Sequence, residues 1–290
     1  MFNGLPVKAK VITRFAPSPT GPLHLGHAYS AMLAHDMARA AGGRFLLRFE
    51  DTDLERSKPE WKALIEEDLT WLGLTWDGPA WSQAAHLDRY VPALARLEEM
   101  GLLYPCSCTR ANIRAALAAP QEGVPHEVYP GTCKHRPMRD RKSGDALRLH
   151  LDRALDLLKN REAAFTETGA RHAGHHVIEH ARALAEIGDV VLWRKGDEVV
   201  AYFLASALDD VAQQITDVVR GEDLFGFTVI QVILLTLLDQ PVPTYHHHTL
   251  IRDENGKRLA KRDDARAIAT YRAGGTTPQD IRRMVGLPPR

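Results

Sequence analysis

Residues 10–27 read KVITRFAPSPTGPLHLGH, an apolar run, then three prolines and two glycines crowded against a His-x-x-His pair. Val11, Ile12 and Phe15 suit a short strand. After the histidines, AYSAMLAHDMARAAGG carries helical spacing from about Ala28 and stops at Gly42 and Gly43. The stretch therefore predicts a strand, a tight loop and a helix. Pro17, Pro19 and Pro22 fix φ, while Gly21 and Gly26 let the backbone approach a ligand. A helix N-terminus carries unpaired N–H groups and partial positive charge, so the pattern describes a phosphate cradle with His24 and His27 at its mouth. Zinc fits poorly there, because paired helical metal histidines come four residues apart beside an acid.

The chain of 290 residues is long enough for one large domain with an insertion or for two domains. Strand-like and helix-like segments alternate through KVITRF, RFLLRFED and SKPEWKALIEEDLTWLGL, the last opened by Ser57, which predicts an α/β fold with a doubly wound parallel sheet. Four parts follow: residues 1–104 as the first half of that domain, 105–187 as a loop-rich insertion, 188–245 as its second half, and 246–290 as a charged loop with a short helical tail. Within the insertion 153–188 is polar and His-rich, without sheet character, and TYHHH at 244–248 is expected in a loop. The longest apolar run, Phe227 to Leu238, falls short of the roughly 20 residues of a membrane span. The N-terminus lacks an apolar leader, so the cytoplasm is the expected compartment.

Lys+Arg and Asp+Glu both number 37, so global charge gives no argument for a nucleic-acid partner. A local patch must supply one, and KHRPMRDRK at 134–142, with five Lys/Arg against one acid, and the segment around IRDENGKRLAKRDDAR at 251–266 are the candidates, each of which by itself reads first as a solvated face. The three cysteines lie between 106 and 133, an odd number that argues for metal or plain packing rather than a disulfide framework.

TRFAPSPTGPLHLGH, RFEDTD, VVRGEDL and ENGKRLAKR occur in that order, and together they resemble class I glutamyl-tRNA synthetases and their short paralogue, the glutamyl-queuosine tRNA(Asp) synthetases. His24-Leu25-Gly26-His27 looks like the HIGH motif of the class and Arg258 to Arg262 like its KMSKS loop, with Ala260 where that pattern has serine. The resemblance implies a Rossmann-type catalytic domain with an inserted zinc-containing subdomain. It implies that glutamate attacks the α-phosphate of ATP, accompanied by Mg2+, to give glutamyl-adenylate and pyrophosphate. His24, Gly26, His27 and Lys261 would hold ATP, with His24, His27 and Lys261 as the catalytic set, by positioning and charge. Arg14, Ala16, Ser18, Glu50, Tyr202 and Arg220 would line the glutamate site. Two cations and one anion suit a dicarboxylate that bears an ammonium group.

Cys106, Cys108, Tyr129 and Cys133 resemble the zinc site of the short paralogue, with His126 and His135 as alternatives to Tyr129. Only about thirty residues follow Lys261, too few for the helical anticodon-binding region of a glutamyl-tRNA synthetase. The expectation is therefore a monomer without an anticodon-binding domain that activates L-glutamate without tRNA and transfers it to queuosine in tRNA(Asp). A truncated glutamyl-tRNA synthetase charging a 3′ end and a non-catalytic RNA-binding paralogue are the alternatives.

Overall fold

The computed structural model describes residues 10–109, 111–113, 128–196, 199–251 and 266–290. Lys261, the rest of the KMSKS-like loop and His126 lie outside the described residues.

The opening motif folds as expected. Strand β1 (Ile12–Phe15) leads through the Pro/Gly loop into α1 (Leu25–Ala40) and back to β2 (Arg44–Phe49). β2 pairs parallel with β1, Ile12 opposite Arg44. The return is tight: a Cβ on Gly43 would lie 1.9 Å from the Val11 carbonyl oxygen, so only glycine lets the chain leave α1 and join β1 there. Helix α2 (Pro59–Trp71) starts from Lys58 rather than from Ser57, with Pro59 at the first position, where its missing N–H costs nothing. Strand β3 (Trp81–Ser82) then pairs parallel with β2.

Helix α3 (Val91–Glu99) leads into a separate antiparallel sheet of β4 (Leu103–Cys106), β5 (Ala146–Leu149) and β8 (Val191–Trp193), in the order β4-β5-β8. Between β5 and β8 lie α4 (Leu151–Leu158), β6 (Ala164–Glu167), β7 (Gly174–Val177) and α5 (His180–Glu186). Helix α6 (Tyr202–Ala212), β9 (Asp217–Gly221), α7 (Phe225–Leu237), β10 (Thr244–His248), α8 (Ile268–Ala273) and α9 (Pro278–Met284) complete the described chain.

Strands β7-β6-β10-β9 form one ladder and β1-β2-β3 another. They meet edge to edge, where the Thr216 N–H donates to Ile12 O (2.9 Å) and the Ile12 N–H to Thr216 Oγ1 (2.8 Å). The spatial order β3-β2-β1-β9-β10-β6-β7 reverses direction between β1 and β9, the place where open α/β sheets bind ligands at their C-terminal strand ends. Two apolar clusters cover the faces: α1 and α2 pack on one through Ala28, Met32, Ile65 and Leu69, and α6 and α7 on the other through Leu204, Ile230 and Ile233.

Two expectations need correction. TYHHH is not a loop but β10, paired parallel with β9 from Thr244–Asp217 to His248–Gly221. Its histidines belong to a strand flanked on both sides, where Tyr245, His247 and His248 are buried. The stretch 153–188 does have sheet character, since β6 pairs with β10 at Tyr245–Glu167 and antiparallel with β7. Its period was masked by histidines: His172 stacks on Phe225 at 4.0 Å and His176 on Phe165 at 5.0 Å, as aromatic packing. No helix among the described residues is long and apolar enough to cross a membrane.

Candidate active site

Helix α1 begins three residues earlier than its apolar period indicates, because His24 itself is the N-cap, in extended conformation. His24 Nδ1 accepts the Gly26 N–H (3.1 Å) and His27 Nδ1 accepts the His24 N–H (3.2 Å). This is a capping box built from two histidines instead of Ser and Glu. With each Nδ1 accepting, the neutral rings carry their protons on Nε2. The rings lie 3.8 Å apart and line a cleft of about 160 Å³ with Gly26, Ser30 and Gly221. The sequence motif thus sets both the helix start and the tautomer of two N–H donors beside it.

His27, Ser30 and Gly221 also line an adjoining cavity of about 530 Å³. Arg14, Ala16, Ser18, Glu50, Tyr202 and Arg220 all line it, so the structure brings together every residue expected around glutamate. Arg14 comes from the end of β1, Arg220 from the end of β9, Glu50 from just past β2 and Tyr202 from the start of α6. They converge because the strand order reverses here.

The electrostatic frame beneath the cavity is Asp210, on α6. Its Oδ1 accepts from Arg14 Nε (2.9 Å) and from Arg48 Nη1 (2.7 Å). Arg48 is fully buried and also donates to Gln213, Ser206 and Glu50. Burial works against its charge, and Asp210, Glu50 and Asp209 overcome that, holding Arg48 above the ordinary arginine value. Burial likewise opposes the Asp210 anion, but Arg14 and Arg48 keep its pKa below the usual carboxylate range. Asp209 is tied separately, to Gln83 (2.8 Å) and Tyr90 (2.9 Å). Asp210 also accepts from Arg14 Nη2 (3.4 Å) and the Val219 carbonyl from Nη1 (3.3 Å), so a ligand meets only the remaining N–H groups of that guanidinium. Burial raises the pKa of Glu50, against the pull of Arg48 and Arg14, and a substrate ammonium would favour its anion.

Arg220 has a different shell. Its Nε donates to His247 Nε2 (3.0 Å), Nη1 to Gln231 Oε1 (2.7 Å) and the Tyr202 hydroxyl (3.4 Å), and Nη2 to Thr228 Oγ1 (2.8 Å). Each of these acceptors is neutral, and no carboxylate touches Arg220 among the described residues. A 6% exposed guanidinium in a neutral shell, beside a cavity, is electrostatically matched to an incoming carboxylate.

The cysteines form a second centre. Cys106, Cys108 and Cys133 Sγ all lie within 4.8 Å of one another, and Cys108 and Cys133 are 3.6 Å apart. The Tyr129 hydroxyl lies 3.4 Å from Cys106 Sγ and 3.5 Å from Cys108 Sγ. Tetrahedral zinc with Zn–S near ~2.3 Å spaces its sulfurs by roughly 3.8 Å, so the donor set fits. Arg148 lies 3.7 Å over the Tyr129 ring and donates from Nε to Cys106 Sγ (3.4 Å). Against burial, hydrogen bonds from the Ser107 N–H, Tyr129 and Cys108 bring Cys133 down to about 6. His135 is not part of the cluster among the described residues.

A histidine-capped helix start beside a cavity lined by Arg14, Glu50 and Arg220, at the switch point of a doubly wound sheet, suits an enzyme that brings an anion and a zwitterionic acid together. The comparisons agree. The family described as class I tRNA synthetases (E and Q), catalytic domain, matches residues 10–288. The chain is 55% identical over 284 residues to the glutamyl-Q tRNA(Asp) synthetase of Rhodobacter capsulatus, covering 96% of this chain and 100% of that one. It is 42% identical to the protein of the same name from Nocardia farcinica, over 96% and 85% of the two chains. The crystal structure of an Elizabethkingia meningosepticum glutamate tRNA ligase in complex with its amino acid superposes with a TM-score of 0.74 at 25% identity. That match covers 95% of this chain and 60% of the ligase. The chain belongs to the class I glutamyl- and glutaminyl-tRNA synthetase family and is a ligase of the aminoacyl-tRNA synthetase type.

Replacing Asp210 with Asn leaves two buried guanidiniums short of their shared anion, with an expected loss of about 3–5 kcal/mol. Because the folded pKa of Asp210 is depressed, its contribution is present above the ordinary value of 3.8 and is lost as pH falls below it. Denaturant unfolding at pH 7.5 should show the full difference between the unsubstituted protein and D210N, and unfolding near pH 3 a reduced one.

Proposed function

We propose that this protein activates L-glutamate with ATP, without RNA, and transfers it to queuosine in the anticodon loop of tRNA(Asp). The observation that carries the first half is the Arg220 guanidinium, buried among neutral acceptors in the cavity that adjoins the His24–His27 helix start. One substrate carboxylate meets Arg220 and the ammonium group meets Glu50. An oxygen of the α-carboxylate attacks the α-phosphorus of ATP. The bond to the bridging oxygen breaks and pyrophosphate leaves. His24 and His27 donate from Nε2 to phosphate oxygens, and Lys261 is the cation for the departing pyrophosphate. Mg2+ accompanies ATP. Catalysis of this kind is positioning plus charge stabilisation.

The second half draws on the names of the relatives and on a cavity of about 1190 Å³ that runs from Cys106, Cys108 and Tyr129 past Arg148, Arg194 and Lys195 to Tyr202. Tyr202 lines the glutamate cavity as well, so an acceptor hydroxyl entering from this side reaches the activated carboxyl. The hydroxyl attacks that carbonyl and AMP leaves. Arg139, Arg141 and Lys142 are exposed in the basic stretch, whereas Lys134 and Arg136 are committed to Asp189 and Asp145. Exposed cations of this kind favour an RNA backbone.

Cys106, Cys108, Cys133 and Tyr129 would hold Zn2+, which supplies a structural crosslink where β4 ends, with no position left for a substrate.

Glutamate-dependent ATP–pyrophosphate exchange without RNA tests the activation step, and strong exchange is the expected result. Labelled glutamate should then appear on tRNA(Asp) that contains queuosine. Exchange that starts only when tRNA is added, with ester formed at a tRNA(Glu) 3′ end, would replace this reading with that of a 3′-charging enzyme. For the metal, elemental analysis should find one zinc per chain, and Cys108→Ser should lower both the zinc content and the melting temperature. A zinc-free protein of unchanged stability would remove the metal from the account.

A further inference from the structure

Behind Arg220 lies a buried acid that the glutamate site does not touch directly. Glu167 ends β6, and neither its side chain nor that of His247 is exposed at all. Glu167 Oε1 accepts two backbone N–H groups, from Gly169 (2.6 Å) and His247 (2.9 Å). Its Oε2 lies 2.5 Å from His247 Nδ1, and His247 Nε2 lies 3.0 Å from Arg220 Nε. The loop after β6 can come this close only because residue 169 is glycine: a Cβ there would be 2.2 Å from the His247 carbonyl oxygen and 2.7 Å from Glu167 Oε1.

We propose that Glu167 and His247 form a buried relay that sets the direction of Arg220, which makes Glu167 a positioning residue for binding of the amino-acid carboxylate. The inference rests on the reading that Arg220 receives that carboxylate.

The logic lies in the donors. An arginine Nε–H can only donate, so His247 Nε2 must be the acceptor and the imidazole proton must sit on Nδ1. Glu167 Oε2 is the acceptor that selects this tautomer, in the manner of a carboxylate orienting a catalytic histidine. Burial and the nearby Arg220 lower the pKa of His247 to about 4, so the ring is neutral, as the relay requires. Phe225 meets the ring edge-on at 5.3 Å and Tyr245 stacks at 5.9 Å, which restricts its rotation. With the ring fixed, Arg220 turns its Nη atoms to Gln231, Thr228 and Tyr202, beside the cavity.

Glu167→Gln tests this with nearly unchanged shape. The two backbone N–H groups hold the glutamine oxygen at the Oε1 position, so its NH2 faces His247 Nδ1. Nδ1 must then accept, the proton moves to Nε2, and that N–H opposes the Arg220 Nε–H, its other neighbour being Thr228 Oγ1 (3.2 Å), which already accepts from Arg220 Nη2. In pyrophosphate exchange, E167Q should raise KM for glutamate by about 10-fold or more and leave KM for ATP within about twofold. A glutamine at 247 has no tautomer to select and can turn its oxygen to Arg220. In a H247Q background, E167Q should therefore change KM for glutamate less than about twofold, a coupling that a double-mutant cycle reads directly. Unchanged KM for glutamate in E167Q, equal rises for glutamate and ATP, or the same factor in both backgrounds would overturn the relay. Nitrogen-15 shifts of the His247 ring give a readout independent of activity: protonated Nδ1 in the unsubstituted protein and protonated Nε2 in E167Q. If the shifts behave so but the unsubstituted protein shows no glutamate-dependent exchange, the functional reading fails while the tautomer relay stands. Protonated Nε2 in the unsubstituted protein defeats the relay itself.

Discussion

A single carboxylate, that of Asp210, lies between the guanidiniums of Arg14 and Arg48 with almost no access to water. Arg14 belongs to β1, Arg48 to β2 and Asp210 to α6, so this contact ties the first half of the sheet to the second. Buried ions are costly unless paired and hydrogen-bonded, and here each member is both. The pairing presets the site. Arg14 enters the cavity with its side-on edge occupied, Arg48 stays behind Glu50, and Arg220 is left, among the described residues, with neutral partners. Positive charge in the cavity is thus concentrated on the side of β9.

The second determinant is topology. Where the sheet order reverses, the ends of β1 and β9 splay and the connections leave on opposite faces, which opens a crevice. The helix that follows β1 points its N-terminus into the same region. His24 caps that terminus by accepting the Gly26 N–H while His27 accepts the His24 N–H, and the same hydrogen bonds fix which ring nitrogen carries a proton. The capped helix start and the larger cavity thus become neighbours, and His27, Ser30 and Gly221 line both clefts.

Much of this was legible because the signals are local. Proline and glycine spacing after KVITRF marked the strand, loop and helix, and the two cysteines at 106 and 108 with YPGTC marked the second centre. What was hidden depends on distant partners. Arg48 and Asp210 stand 162 positions apart, and charged residues in a strand and in a helix read as surface until they meet. Arg48 and Glu50, two positions apart where β2 ends, and the double aspartate inside the apolar helix at 202–212 were the available signals. β10 escaped because three successive histidines lack apolar alternation, although His247 and His248 are buried by neighbours on both sides. Glu167 escaped for the same reason, in a stretch where His172 and His176 stack on phenylalanines.

On the proposed reading, the cavity selects a dicarboxylate amino acid through the buried Arg220 guanidinium, which meets no carboxylate among the described residues. Calorimetric titration of the protein with L-glutamate and with L-glutamine, with neither ATP nor RNA present, tests it most directly. Glutamate should bind roughly 10- to 100-fold more tightly than its neutral isostere, the span expected for a charge-assisted hydrogen-bonded contact. Equal affinity for the two would show that Arg220 is a structural cation and would contradict the account.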